Sequence, residues 1–173
     1  MMKKTFLTVL LAVVSMLSMQ AQTITGKWVT YIVDEEAEEM VSHILVFEGN
    51  LMRQAMFAMS SMEGVGDVSL FVDVPAQDYT PGSKVLNFRF DPAQAEMELK
   101  GVDFIDEIKN VIKENPAKEE ELRQIVYNSL APNKQQMAQE GLLSGKYTVV
   151  SATDTKLVLK DPEGESYTFI RPE

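Results

Sequence analysis

The stretch DVSLFVDV (residues 67–74) decides the fold, because Val68, Leu70, Val72 and Val74 fall at every second position. Successive side chains of an extended chain point to opposite sides, so a period of two marks a half-buried strand. The pattern spreads outward in both directions. Glu63-Gly64-Val65-Gly66 is a turn signal leading back to LMRQAMFAMSSM (51–62), and Gly49-Asn50 leads back again to HILVFE (43–48). Beyond the central stretch, Pro81-Gly82-Ser83 turns the chain into KVLNFRFD (84–91), with Leu86, Phe88 and Phe90 on one side. In QAEMELK (94–100), Ala95, Met97 and Leu99 alternate with polar residues. TITGKWVTYIV (23–33) opens this β-rich region, and SGKYTVVS (144–151), TKLVLKD (155–161) and SYTFIRP (166–172) end it, all rich in β-branched and aromatic residues. Residues 51–59 also have high helix propensity, but a turn before them and a clear strand after them favour a strand in a meander.

After Gly101 the apolar period changes to 3.6. Phe104, Ile105, Ile108, Val111 and Ile112 form one helical face, opened by Asp103 and stopped by Asn115-Pro116. A second helix is expected to bury Leu122, Ile125, Val126, Ser129 and Leu130, with Glu119, Glu120 and Glu121 at its N-terminus, where the helix dipole favours acids. Pro132 interrupts it, and Gly141 terminates the helical stretch beyond that proline. The expectation is a mainly β, antiparallel fold of 8–9 strands, with a helical insertion over about 103–140 before the last three strands.

The chain has 173 residues, a net charge of -10 and no cysteine. These exclude a disulfide scaffold, a thiolate metal centre and a cysteine nucleophile, and the acidity argues against nucleic acid as a partner. His43 is the single histidine, so zinc sites needing several imidazoles are excluded. Residues 1–21 read as a secretory signal peptide: Lys3 and Lys4, an apolar run from Phe6 to Leu17, then small and polar residues to Ala21. The run is shorter than the roughly 20 residues a membrane helix needs. The expected product is an exported single domain over 22–173, periplasmic or extracellular, with neither lipid anchor nor stable membrane insertion. Losing both lysines makes it more acidic still.

Gly26-Lys27-Trp28 in the first strand and Phe169-Ile170-Arg171 in the last resemble the lipocalin and wider calycin pattern, and the whole order resembles secreted bacterial lipocalin-like proteins. The resemblance implies a lipocalin-like β-barrel in which Arg171 packs over Trp28, with Gly26, Trp28 and Arg171 as a structural signature. Two departures stand out: the lipocalin Thr-Asp-x-x-Tyr element survives only as Thr153-Asp154, and the insertion is unlike the family's C-terminal helix.

Met56, Phe88, Met97 and Tyr147 have inward parity and are the candidate lining of a ligand cavity. The expected function is a non-enzymatic binding protein for a small apolar or amphipathic molecule; the alternative is a cell-envelope interaction module working through the insertion or the acidic segment. The acids Asp34, Glu35, Glu36, Glu38 and Glu39 invite calcium but lack EF-hand spacing, and a short helix with Ala37, Met40, Val41 and Ile44 on one face accounts for them. Met52, Met56, Met59 and Met62 beside His43 invite copper(I), yet in a strand Met59 faces away from Met56 and Met62. His43 is expected at the surface or a strand end. Phosphate loops and hydrolase motifs are absent, and no catalytic residue, metal ligand or cofactor is assigned.

Overall fold

The computed structural model describes residues 23–34 and 39–172. The signal-peptide segment and the acidic residues Glu35, Glu36 and Glu38 lie outside these residues, as does Ala37. Among the described residues ten strands form one sheet, every pairing antiparallel. They are β1 (Gly26–Asp34), β2 (Glu39–Glu48), β3 (Leu51–Met62), β4 (Gly66–Asp73), β5 (Gln77–Asp78), β6 (Val85–Phe88), β7 (Glu96–Phe104), β8 (Gly145–Ala152), β9 (Lys156–Lys160) and β10 (Ser166–Ile170). Between β7 and β8 lie three helices: α1 (Asp106–Glu114), α2 (Lys118–Leu130) and α3 (Lys134–Gly141). The mainly β, antiparallel expectation and the strand over residues 51–62 therefore hold.

The sheet order is β6-β8-β9-β10-β1-β2-β3-β4-β7, with β5 beside the start of β3. Two successive strands share one flank of β3. Its residues Ala55 to Met62 pair with β4, whereas Leu51 and Met52 pair with β5. Pro75 lies between β4 and β5 and has no backbone N–H to give a ladder. Beyond this break the sheet forks: β4 carries β7 on its far edge, while β5 turns toward β6.

No ladder joins β5 to β6 among the described residues, which corrects the expectation of a closed barrel of 8–9 strands. The side chain of Gln77 spans the seam instead. Its Nε2 donates to the Asn87 carbonyl at 2.6 Å and its Oε1 accepts from the Arg89 N–H at 2.7 Å. One amide side chain thus supplies the donor and acceptor that a paired peptide group would offer.

Inside this curled part, twelve buried side chains form one core, with Trp28, Phe47, Phe88 and Phe169 at or below 1% exposure. Burying each contributes about 1.5–3 kcal/mol. Edge-to-face contacts organise its rim: Phe47 with Tyr79 at 5.1 Å, and Phe88 with Tyr147 at 5.3 Å. β1 meets β10 at Val29 and Ile170, and just beyond that pair Arg171 lies 4.7 Å from the Trp28 ring. The Thr25 carbonyl accepts hydrogen bonds from both Arg171 Nη2 and Trp28 Nε1, each at 3.0 Å. Gly26 has a φ of +77°, which favours glycine, and a Cβ there would lie 3.1 Å from Arg171 Nη1, so the guanidinium would have to give by a few tenths of an ångström.

A second core lies between β3, β4 and β7 and the helices, built from Met56, Val68, Leu70, Val72, Met97, Phe104, Val126 and Leu142. Several helical expectations need correction here. The insertion starts at Asp106, so Phe104 is still in β7, and Asp103 forms a 2.9 Å ion pair with Lys109 instead of capping the helix. Val111 and Ile125, expected inside, are more than half exposed: the helices turn Ile108, Ile112, Leu122 and Val126 to the second core, and among the described residues no further layer covers the opposite face. The helix expected around Met40, Val41 and Ile44 is strand β2: the ladder from Met40–Met59 to Glu48–Leu51 claims those backbone groups.

Candidate functional site

The four side chains expected to line one cavity are all buried, but the fork separates them. Phe88 and Tyr147 belong to the first core, Met56 and Met97 to the second. A carrier barrel keeps its middle open; here the middle is occupied by aromatic and aliphatic side chains. Met52 and Met56 face inward while Met59 is exposed on the opposite face, so the methionines of β3 do not converge. His43 is not at a strand end. It lies mid-β2 on the inward face, opposite Met56 in register, and burial holds its imidazole below the ordinary histidine pKa.

Met97 has a second role that its parity does not reveal. With Leu99 and Tyr127 it forms the apolar floor of a groove of about 260 Å³ between β7 and α2. Glu120, Arg123 and Gln124 of α2 form its remaining wall, and Glu98 borders it at the strand between Met97 and Leu99. The arrangement follows from local structure. β7 alternates, sending Met97 and Leu99 toward the helices and Glu96 and Glu98 to the outer face. α2 sets Val126 into the core, leaving Arg123 and Tyr127 beside β7. Among the described residues Glu98 pairs with Lys100, and Lys118 with Glu121, whereas Arg123 forms no ion pair. An amphipathic groove with an uncommitted guanidinium suits a partner that is apolar on one side and polar on the other.

Two other hollows are more polar. One, of about 280 Å³, lies over the seam at Gln77, Asn87 and Arg89. The other, of about 240 Å³, lies on the outer face at Arg53, Asp73 and Glu96. There Asp73 stands opposite Glu96 across the ladder, and its carboxyl is pushed up, first by desolvation and then by Glu96, against the opposing pull of Arg53. Elsewhere Tyr167 is raised to about 12, first by desolvation and then by Tyr147, Glu165 and Asp161. Its hydroxyl reaches Glu165 at 3.4 Å and Asp161 at 3.5 Å. A phenol so reluctant to ionise is a poor base at neutral pH. No helix among the described residues is long and apolar enough to cross a membrane, and no group of three or more His, Cys, Asp or Glu among them is placed to hold a metal ion.

The groove is illegible in the sequence because its halves come from separate segments, one in β7 and one in α2. The only local signal is the alternation of QAEMELK, and alternation marks a strand without saying that it ends a sheet. Comparison with protein families, with curated proteins and with solved structures finds no match to this chain.

Proposed function

We propose that this chain is an exported, non-enzymatic binding protein of lipocalin-like construction whose working surface is the groove between β7 and α2. The single observation behind this reading is the contrast between a filled interior and an open amphipathic groove at the sheet's far end. The order of elements and the Arg171–Trp28 contact support the lipocalin-like description, and residues 1–21 support export. Of the two expected functions, the interaction module working through the helical insertion is favoured over a carrier of small apolar ligands in the barrel.

Site-specific photo-crosslinking in expressing cells tests it. A photoreactive phenylalanine analogue at Tyr127, in the groove, is expected to give discrete adducts, while the same analogue at Tyr31, exposed on the outer face of β1, gives none. Adducts from position 31 alone, or none from 127, would overturn the reading. A stoichiometric lipid-like species released from natively purified protein only on unfolding would restore the barrel interior as the site.

A further inference from the structure

The two ends of the sheet are finished differently. At one end β6 is four residues long, and Gln77 bonds to the Asn87 carbonyl and the Arg89 N–H on its free side. At the other end β7 is nine residues long, its outer edge unpaired by any strand among the described residues, and α2 stands beside it across the groove. An open edge of that length presents a row of backbone donors and acceptors, which only another extended backbone satisfies in full.

Resting on the groove as the working surface, we infer that its partner is an extended peptide segment that adds to the sheet along β7, with basic and apolar residues in alternation. The alternation follows from the pleat, since neighbouring side chains of an added strand fall on the same two faces as those of β7. On the outer face they meet the exposed carboxylates of Glu96 and of Glu98, the latter shared with Lys100; on the inner face they meet Met97, Leu99 and Tyr127. At the rim Glu120 adds a negative charge and Arg123 a positive one, so the basic residues of the segment are read on the outer face and not at the α2 wall. A second copy of this chain is the weaker occupant, because each copy carries a net charge of -10 and would bring its own carboxylates to the edge. The extra residue of β7 at Lys100, between the Ser69–Gly101 and Leu70–Leu99 pairs, twists the edge for any added strand, so the regular alternation the segment reads runs from Glu96 to Leu99.

The test uses the full chain and capped, fluorescein-labelled peptides of nine residues, the length of β7, alternating Lys and Val in both phases. Each is also made with alternate backbone amides N-methylated, in either of the two possible sets. Strand addition predicts that one set of methyl groups weakens binding about tenfold or more while the other leaves it nearly unchanged, because only alternate amides face the edge. It also predicts slowed hydrogen exchange at β7 amides and about tenfold weaker binding to the Glu96→Lys, Glu98→Lys double variant, whose exposed positions should not disturb folding. Equal binding by both methylated sets, with no protection of β7, would overturn strand addition. An alternating Glu-Val peptide binding as well as Lys-Val would overturn the charge assignment. If no peptide binds while Tyr127 still crosslinks, strand addition fails and the groove stands; if that crosslink is also absent, the groove reading fails with it.

Discussion

Replacing Gln77 with alanine removes the side-chain bridge across the seam between β5 and β6, and the cost follows from its two bonds. The donation to the Asn87 carbonyl is partly buried and the acceptance from the Arg89 N–H is exposed. A neutral hydrogen bond contributes a net 0.5–1.5 kcal/mol, and exposed groups are rehydrated when their partner is lost, so roughly 1–2 kcal/mol is expected for the pair. For a chain of this length that corresponds to a fall in Tm of about 2–8 °C. Urea unfolding should show a lower midpoint with an unchanged slope, because the surface exposed on unfolding hardly changes. Hydrogen exchange at the Arg89 amide should accelerate. Gln77→Glu separates the two bonds: the carboxylate still accepts from Arg89 but faces the Asn87 carbonyl at hydrogen-bond distance, so it should be at least as destabilising, and acid that protonates it should restore the donation. A Gln77→Ala protein with the parent's midpoint and unchanged exchange at Arg89 would refute the clasp.

Arg171→Met removes the cation from the Trp28 face and the bond to the Thr25 carbonyl, and should cost about 1–3 kcal/mol by chemical denaturation; the partly exposed setting places it toward the lower end. Gly141→Ala directs a methyl group at Met56 Sδ in the second core, with an expected cost of about 1–3 kcal/mol that a double-mutant cycle with Met56→Val should show to be largely relieved. His43 has a folded pKa below its ordinary 6.5, so the unfolded chain binds the proton more readily. The stability it contributes is present above about pH 6.5 and is lost as pH falls through the folded value; His43→Gln should flatten that part of the urea-midpoint profile. Tyr167, raised from 10.0 to about 12, has the opposite sign: its contribution is lost as pH rises between those values, and ultraviolet titration of Tyr167→Phe should lack the latest phenolate step.

Most of the sheet was legible because strand pairing and burial agree at the level of single residues. Val68, Leu70 and Val72 alternate in sequence and are buried in the structure. Gly26, Trp28 and Arg171 carry a contact that spans the chain, legible only because a short motif stands at each end. The failures have a common physical origin. Met40, Val41 and Ile44 satisfy a helical period, while Leu45 and Phe47 of the same segment satisfy a strand period; long-range hydrogen bonds to β3 decided between them. Val111 and Ile125 have the right spacing for burial, but spacing says nothing of how many layers the protein builds. The seam was illegible for a different reason. Nothing marks Gln77 as a substitute for a peptide bond until β6 is in place beside it, and the end of the sheet at β7 is likewise a property of all the pairings together.

Pro75 links these illegible features. A continuous strand from Gly66 to Asp78 would give β3 one uninterrupted partner and leave a single far edge to be covered. The break between Asp73 and Gln77 divides that edge, and the ladder resumes one residue out of step: Ala55 faces Asp73, but Met52 faces Gln77. Gln54 lies at the corresponding position of β3, where its carbonyl accepts a bond from the Val74 N–H at 3.4 Å and its side-chain Nε2 donates to the Leu143 carbonyl at 3.0 Å. That second bond ties the fork to the segment returning from the helical insertion. On one side of the fork, the short edge curls around aromatic side chains and is clasped by Gln77. On the other, β4 and β7 diverge from the curl, so helices rather than strands cover their inner face. A helix packed beside an end strand leaves that strand's hydrogen-bonding edge open while shielding its apolar face, and those are the two conditions for reading a peptide by both its backbone and its alternation. The fork therefore makes an open β7 groove compatible with a filled first core, without requiring an internal cavity.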